Sequence, residues 1–198
     1  MKLGSEPAVT DEQLIAGARN DSAAVAELYR RHYGPVFRYC VHRLFDRSVA
    51  EDVTSTVFLK MVENVDRFRG DDEDLRRWLF TVATNAANAY LRKRARRKRL
   101  LEAAARDLAA ARSQAGHGPD DGAERTAELQ RAVWTLKPRD QAIIVLRFVE
   151  DMKLSEIAGI VGSSPSAVQK RLSRALGRLR AWLGGRTRSN ARKEAGDV

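Results

Sequence analysis

Apolar residues recur every three or four positions almost throughout these 198 residues, and no segment alternates apolar with polar at period two. Such a chain buries stripes along helices and has no sheet face to cover, so the expected class is all-α. One break divides the pattern. QAGHGPDDG, residues 114–122, holds three glycines, a proline and two aspartates, and reads as a flexible linker. The expected architecture is therefore two small helical domains, 1–113 and 123–184, joined by that linker and followed by a disordered polar tail over 185–198.

Local signals place the helices. Thr10 with Gln13, and Ser48 with Glu51, have capping-box spacing. Gly34-Pro35 predicts a break between a helix over 21–33 and a second one opened by Pro35. FRGDDED, residues 68–74, reads as a polar loop. From about Asp74 a long helix is expected, with Leu75, Leu79, Val82, Ala86 and Tyr90 as its buried seam, persisting toward Ser113. Residues 127–136 read as another helix. Pro138 predicts a helix start before QAIIVLRFVE (141–150), a run whose composition alone would also permit a strand.

Charge is distributed unevenly. Residues 1–91 hold 12 Lys/Arg against 14 Asp/Glu, whereas residues 92–198 hold 24 against 12. The excess in the second part predicts a polyanionic partner, although charge alone does not separate DNA from RNA or acidic lipid. Seven of the eight residues in RKRARRKR (92–99) are basic. No apolar stretch reaches the roughly 18–20 residues of a membrane span, and MKLGSEPAVTDEQ has no signal-peptide core. The single cysteine, Cys40, excludes an internal disulfide. The expectation is a cytoplasmic protein without membrane insertion.

Enzyme chemistry finds little to stand on. His32, His42 and His117 have no ligand spacing with one another or with Cys40, and there is no phosphate-cradling glycine loop or nucleophile arrangement. No catalytic residue, metal or cofactor is assigned. A metal-dependent nuclease would have only the acidic run 71–74 to offer.

LSEIAGIVGSSPSAVQKRLSRALGRLRAWL (154–183) is more telling. Ile157, Ala158 and Val161 mark one short helix, Gly162 supplies a turn at positive φ, Ser164 caps the next helix and Pro165 takes its first position. Val168, Leu172, Leu176 and Leu179 would line the buried side, and Ser166, Gln169, Lys170, Arg171, Ser173 and Arg174 the outward face. This is the layout of a helix-turn-helix, whose second helix enters a major groove where Arg and Gln read base edges. Ser163 stands where such motifs usually bury an aliphatic residue.

In AEDVTSTVFLKM (50–61), RF (67–68), WLFTVATNAANAYLRKRARR (78–97), LKPRDQAIIVLRFVEDMKLSEIAGIVG (136–162) and AVQKRLSRALGRLR (167–180), the chain resembles the extracytoplasmic-function group of bacterial sigma factors. The resemblance implies a factor that binds core RNA polymerase and directs promoter-specific initiation, catalysing nothing itself. Its partners would be core RNA polymerase, promoter DNA and an anti-sigma factor. It implies polymerase docking through the helix carrying Asp52, Phe58 and Val62, the last two of which read equally well as core. It implies −10 recognition by a loop from Phe68 that captures a flipped base, and by Asn85, Asn88, Arg92, Lys93 and Arg96. Ser166, Gln169, Lys170, Arg171 and Arg174 would read the −35 element. Ser55 and Thr56 depart from the group's usual glutamine and glutamate, and Asn88 from a common aspartate. The alternative is a conventional helix-turn-helix regulator with residues 1–99 as a sensor, against which the basic cluster at 92–99 argues.

Overall fold

A computed structural model of the protein describes residues 9–18, 20–108 and 129–194. Every regular element among them is helical. In chain order these are α1 (Asp11–Gly17), α2 (Ser22–Leu44), α3 (Arg47–Asn64) with a 3-10 turn (Val65–Arg67), and α4 (Asp72–Leu108). Helical residues 129–134 form α5, followed by α6 (Pro138–Phe148), α7 (Leu154–Val161) and α8 (Pro165–Glu194). The linker expected at 114–122, and residues 195–198, lie outside the described residues.

Several starts follow the local chemistry. Thr10 and Gln13 form the capping box of α1 in both directions, at 3.2 and 3.0 Å. Pro138 opens α6, so QAIIVLRFVE is helix, not strand, up to its last two residues. Gly162 ends α7 at φ +58°, a conformation that costs most side chains about 1–2 kcal/mol. Ser164 Oγ then accepts the Ala167 amide at 3.3 Å to start α8.

Four expectations change. Pro35 lies inside α2, not at the start of a new helix. Interior proline costs roughly 3 kcal/mol, but Leu28 before it and Val36, Tyr39, Cys40 and Leu44 after it are all buried in one core, and a break would turn one set away. The cap of α3 is Asp46, not Ser48: its Oδ1 accepts the Val49 amide at 3.1 Å. Phe45, at φ +52°, ends α2 so abruptly that only Asp46 is left to stand before the next helix. A carboxylate there also meets the positive end of the helix dipole. The seam of α4 runs through Leu75, Leu79, Phe80, Ala83 and Ala87, while Val82, Ala86 and Tyr90 are only half-buried, because helices pack against it from more than one side. Finally, α8 continues to Glu194, ten residues beyond the expected domain end at 184. Extending a formed helix adds one hydrogen bond per residue fixed, so the polar stretch 185–194 can follow a long helix it would not nucleate.

The core is continuous. Leu28, Tyr39, Leu44, Val57, Met61, Leu79 and Phe80 from the first part share one buried cluster with Ile143, Leu146, Met152, Ile157 and Val168 from the second. A smaller cluster joins Ala132, Val133 and Leu136 to Ala175 and Leu179. Cys40 is fully buried within the larger one, and burial pushes its thiol up to about 11. The thiolate is the reactive form, so Cys40 should resist a thiol-reactive disulfide reagent at pH 8 until guanidinium unfolds the chain. Rapid labelling in native buffer would contradict this packing.

Candidate nucleic-acid interface

On α4, residues 85, 88, 92 and 96 fall three and four apart and so share one helix face. Asn85 is exposed and Asn88 half-buried; Arg92, Lys93 and Arg96 are exposed. The two amides differ in their bonding. The Asn88 Oδ1 accepts from Arg43 Nη2 at 2.7 Å, whereas Asn85 has no side-chain hydrogen bond among the described residues. Upstream, Phe68 is half-buried and meets Trp78 edge-on at 6.2 Å. The acidic turn after it is self-bonded: Asp71 Oδ1 accepts the Asp74 amide at 2.9 Å, and Arg77 pairs with Asp74 at 2.8 Å. Those bonds order Asp71 and Asp74 within the turn.

The helix-turn-helix is assembled as its spacing implies. α7 packs on α8, and Ile157, Ala158 and Val168 are buried between them. Arg139 ties the turn down from α6 by donating through Nη2 to the carbonyls of Val161 and Gly162, the latter at 2.7 Å. Ser163 donates its amide to Ala158 O at 2.9 Å, so backbone bonding holds a turn that lacks the usual buried aliphatic side chain. Ser166, Gln169, Lys170 and Arg174 are exposed on one side of α8. Arg171 is not. It is half-buried and pairs with Asp140 of α6 at 2.7 Å. Its role on the outward face is therefore corrected: the guanidinium first serves the packing of α8 on α6, because a nearly buried carboxylate draws the nearest cation to itself.

On α3, Asp52 and Val62 are exposed, but Phe58 is buried to 3%. Its ring sits 4.7 Å from Tyr29 and 6.0 Å from Tyr33, and Tyr33 stacks on Phe37 at 5.6 Å. Phe58 is thus a wall of the core beneath the surface that Asp52 and Val62 present. Leu59, one position on and 60% exposed, joins Val62 there as an apolar pair that the sequence pattern did not single out.

The α4 face and the second half of the fold border a shared space. Asn85, Asn88 and Arg92 of α4 line a cleft of about 660 Å³ opposite Lys137, Arg139 and Arg171. Sequence reasoning missed the polar contacts that join the two parts of the fold beside it. Arg43 of α2, 1% exposed, donates to Asn88 and through Nη1 to Gln141 Oε1 of α6 at 2.7 Å, leaving its Nε without a partner. Arg38 donates Nε and Nη2 to the two oxygens of Glu150 at 2.9 and 2.7 Å. Arg76 donates to Glu156 Oε1 at 3.0 Å and to the Glu150 carbonyl at 3.2 Å. Their only sequence signal is an arginine in or beside an apolar stripe. Among the described residues there is no cluster placed to hold a metal ion, and no helix is long and apolar enough to cross a membrane.

Two family profiles match: Sigma-70 region 2 over residues 28–97 and Sigma-70 region 4 over residues 126–179. Similar curated proteins include the ECF RNA polymerase sigma factor BldN of Streptomyces coelicolor, 29% identical over 84% of this chain and 64% of that protein. The RNA polymerase sigma factor YlaC of Bacillus subtilis is 26% identical over 77% of this chain and 87% of its own length. The chain thus spans somewhat under two thirds of BldN and most of YlaC. Among solved structures, CnrH in complex with the cytosolic domain of CnrY superposes with a TM-score of 0.63 at 23% identity, over 88% of this chain and 97% of that one. RpoE in complex with the anti-sigma factor NepR from Bartonella quintana gives 0.59 at 23% identity, over 80% and 96%. These two share the fold.

Proposed function

We propose that this chain, which belongs to the sigma-70 family and to its extracytoplasmic-function group, binds core RNA polymerase and confers promoter-specific initiation. The observation that carries the reading is the pairing of two surfaces complementary to DNA on one chain, an amide-and-arginine face on α4 and a helix-turn-helix presenting Gln169, Lys170 and Arg174. A sensor-regulator has use for only the second. No catalytic step is assigned; the protein works by recognition, in the cytoplasm where polymerase and promoter are.

In this reading α3 docks on the polymerase through Asp52, Leu59 and Val62, with Phe58 holding that face in place from below. Residues 1–113 read the −10 element, Phe68 and Trp78 flanking the loop, Asn85 and Asn88 meeting bases, and Arg92, Lys93 and Arg96 gripping phosphates. Residues 123–184 read the −35 element, and the linker lets the two act at separate sites. An anti-sigma factor is the expected regulator, as for the relative RpoE, whose partner in its structure is one.

The first test is co-elution of the purified chain with sigma-free core RNA polymerase, followed by run-off transcription. Stable binding with initiation at two unlike boxes supports the reading; a dimer footprint on a two-fold symmetric site, without polymerase binding, overturns it. Within the −35 surface the roles separate by assay. Lys170→Ala should weaken binding to all sequences and lower the salt slope by about one unit. Gln169→Ala should instead change the preferred sequence, costing on the order of 1–3 kcal/mol at one base pair. An unchanged preference would remove Gln169 from the readout set.

A further inference from the structure

Four cations surround one carboxylate where α8 turns toward α6. Residues 171, 174 and 178 fall three and four apart, so they share one face of α8. With Lys137, which stands just before α6, they line a small pocket of about 110 Å³ around Asp140. Lys137, Arg174 and Arg178 are exposed. Asp140 is the acid among the five, and its side chain is only 11% exposed. Its Oδ1 takes the Arg171 guanidinium at 2.7 Å, and its Oδ2 lies 4.0 Å from Arg178 Nη1. The Arg171 side chain is 34% exposed, so solvent reaches a guanidinium that this carboxylate holds. Between Ser164 and Lys193 the sequence has nine basic residues and no acid. The carboxylate on this flank therefore comes from another helix, and it sits where a cation-rich surface would otherwise grip an anion unopposed.

We propose that Asp140 is a built-in competitor for the DNA backbone: it occupies Arg171, which would otherwise grip a phosphate beside the bases met by α8, and so sets how tightly the helix-turn-helix holds duplex DNA of any sequence. The inference rests on the reading of α8 as a DNA-binding helix and not on polymerase. Position supports it. Arg171 follows Lys170 directly and precedes Arg174 by three residues, and both of these are exposed on the face proposed to meet the −35 element. Phosphate contacts fix register and grip, while base contacts specify; an acid that competes for a phosphate-binding cation thus changes affinity and leaves preference alone. An acid in the first turn of α6 also meets the positive end of the helix dipole. That role by itself would make Asp140 a matter of stability, with no bearing on how DNA binding depends on salt.

Salt dependence separates the two. Binding of the full chain to short duplexes of random sequence can be followed by fluorescence anisotropy across roughly 50–200 mM salt. Asp140→Asn keeps the shape of the side chain, removes its charge and frees Arg171. It should steepen the fall of log K with log salt by about 0.9, one further phosphate, and tighten binding about eightfold near 0.1 M. Asp140→Asn/Arg171→Gln replaces the ion pair by two amides and should fall back to the wild-type slope, because the added grip was that of Arg171. If Asp140→Asn alone does not fold, the double variant still decides. A slope about one unit shallower than wild type would mean that Arg171 grips phosphate despite Asp140. That result overturns the competitor, as does an Asp140→Asn slope equal to the wild-type one. Lys170→Ala, expected to lower the slope by about one unit, checks the underlying reading. If it does so while Asp140→Asn changes nothing, the competitor alone falls; if no form of the chain binds duplex, the DNA reading falls and the competitor with it.

Discussion

Phe58→Ala should destabilise the first domain's core strongly, and any loss of polymerase binding should follow from that. The ring is 3% exposed and packs against Tyr29 and Tyr33. Truncating a buried phenylalanine costs about 3–5 kcal/mol, the transfer term plus the cavity left behind. For a chain of this size that corresponds to a fall in Tm of around 10 °C. Neighbouring Val62 is half exposed on the same helix, and Val62→Ala should leave Tm within about 1 °C, as exposed substitutions do. The pair separates the packing role of α3 from the docking role proposed for it. Thermal melts alongside polymerase binding would check it: Val62→Ala should weaken docking without destabilising, and Phe58→Ala should lose both together. A Phe58→Ala protein as stable as wild type would mean the ring is not the core wall described.

Arg43→Ala is the second large effect. The guanidinium is buried between α2, α4 and α6 and supplies the donors for Asn88 Oδ1 and Gln141 Oε1, each at 2.7 Å. Removing it strands two acceptors, at about 1–3 kcal/mol each for a buried polar group left unpaired. A total loss of roughly 2–5 kcal/mol is expected in chemical denaturation, with faster amide exchange in α4 and α6. Arg43→Lys should recover only part, because an ammonium lacks the planar fork that meets two amides at once. Gln141 would remain partly held, since its Nε2 also donates to Leu136 O at 3.0 Å. A loss below about 0.5 kcal/mol would show that water replaces the guanidinium at no cost.

Asn88 acquires two duties from this network. It belongs to the α4 face proposed to meet the −10 element, yet its oxygen is committed to Arg43. An aspartate here, as the family resemblance would have it, would form an ion pair with Arg43; the asparagine offers the guanidinium a neutral acceptor in a charge-assisted hydrogen bond. Asn85, without a side-chain bond among the described residues, is the amide of that face whose donors and acceptor are uncommitted. Arg171 is likewise held by Asp140, so of the residues proposed to read the −35 element Ser166, Gln169, Lys170 and Arg174 are the exposed ones.

What could be read in the residues was local. The box of Thr10 and Gln13, Pro138 at the start of α6, Gly162 at positive φ and Ser164 before α8 each depend on partners within a few positions. The all-α class and the helix-turn-helix were therefore legible in the amino-acid order alone. The family, too, was legible in the order of its motifs. Tertiary structure decided the rest. Pro35 stays inside α2 because distant side chains bury both halves of that helix; Phe58 is core because α2 lies over it. Arg38 meets Glu150 across 112 positions and Arg43 meets Gln141 across 98. No periodicity links residues so far apart, because their partners are set by how finished helices pack and not by the turns within them.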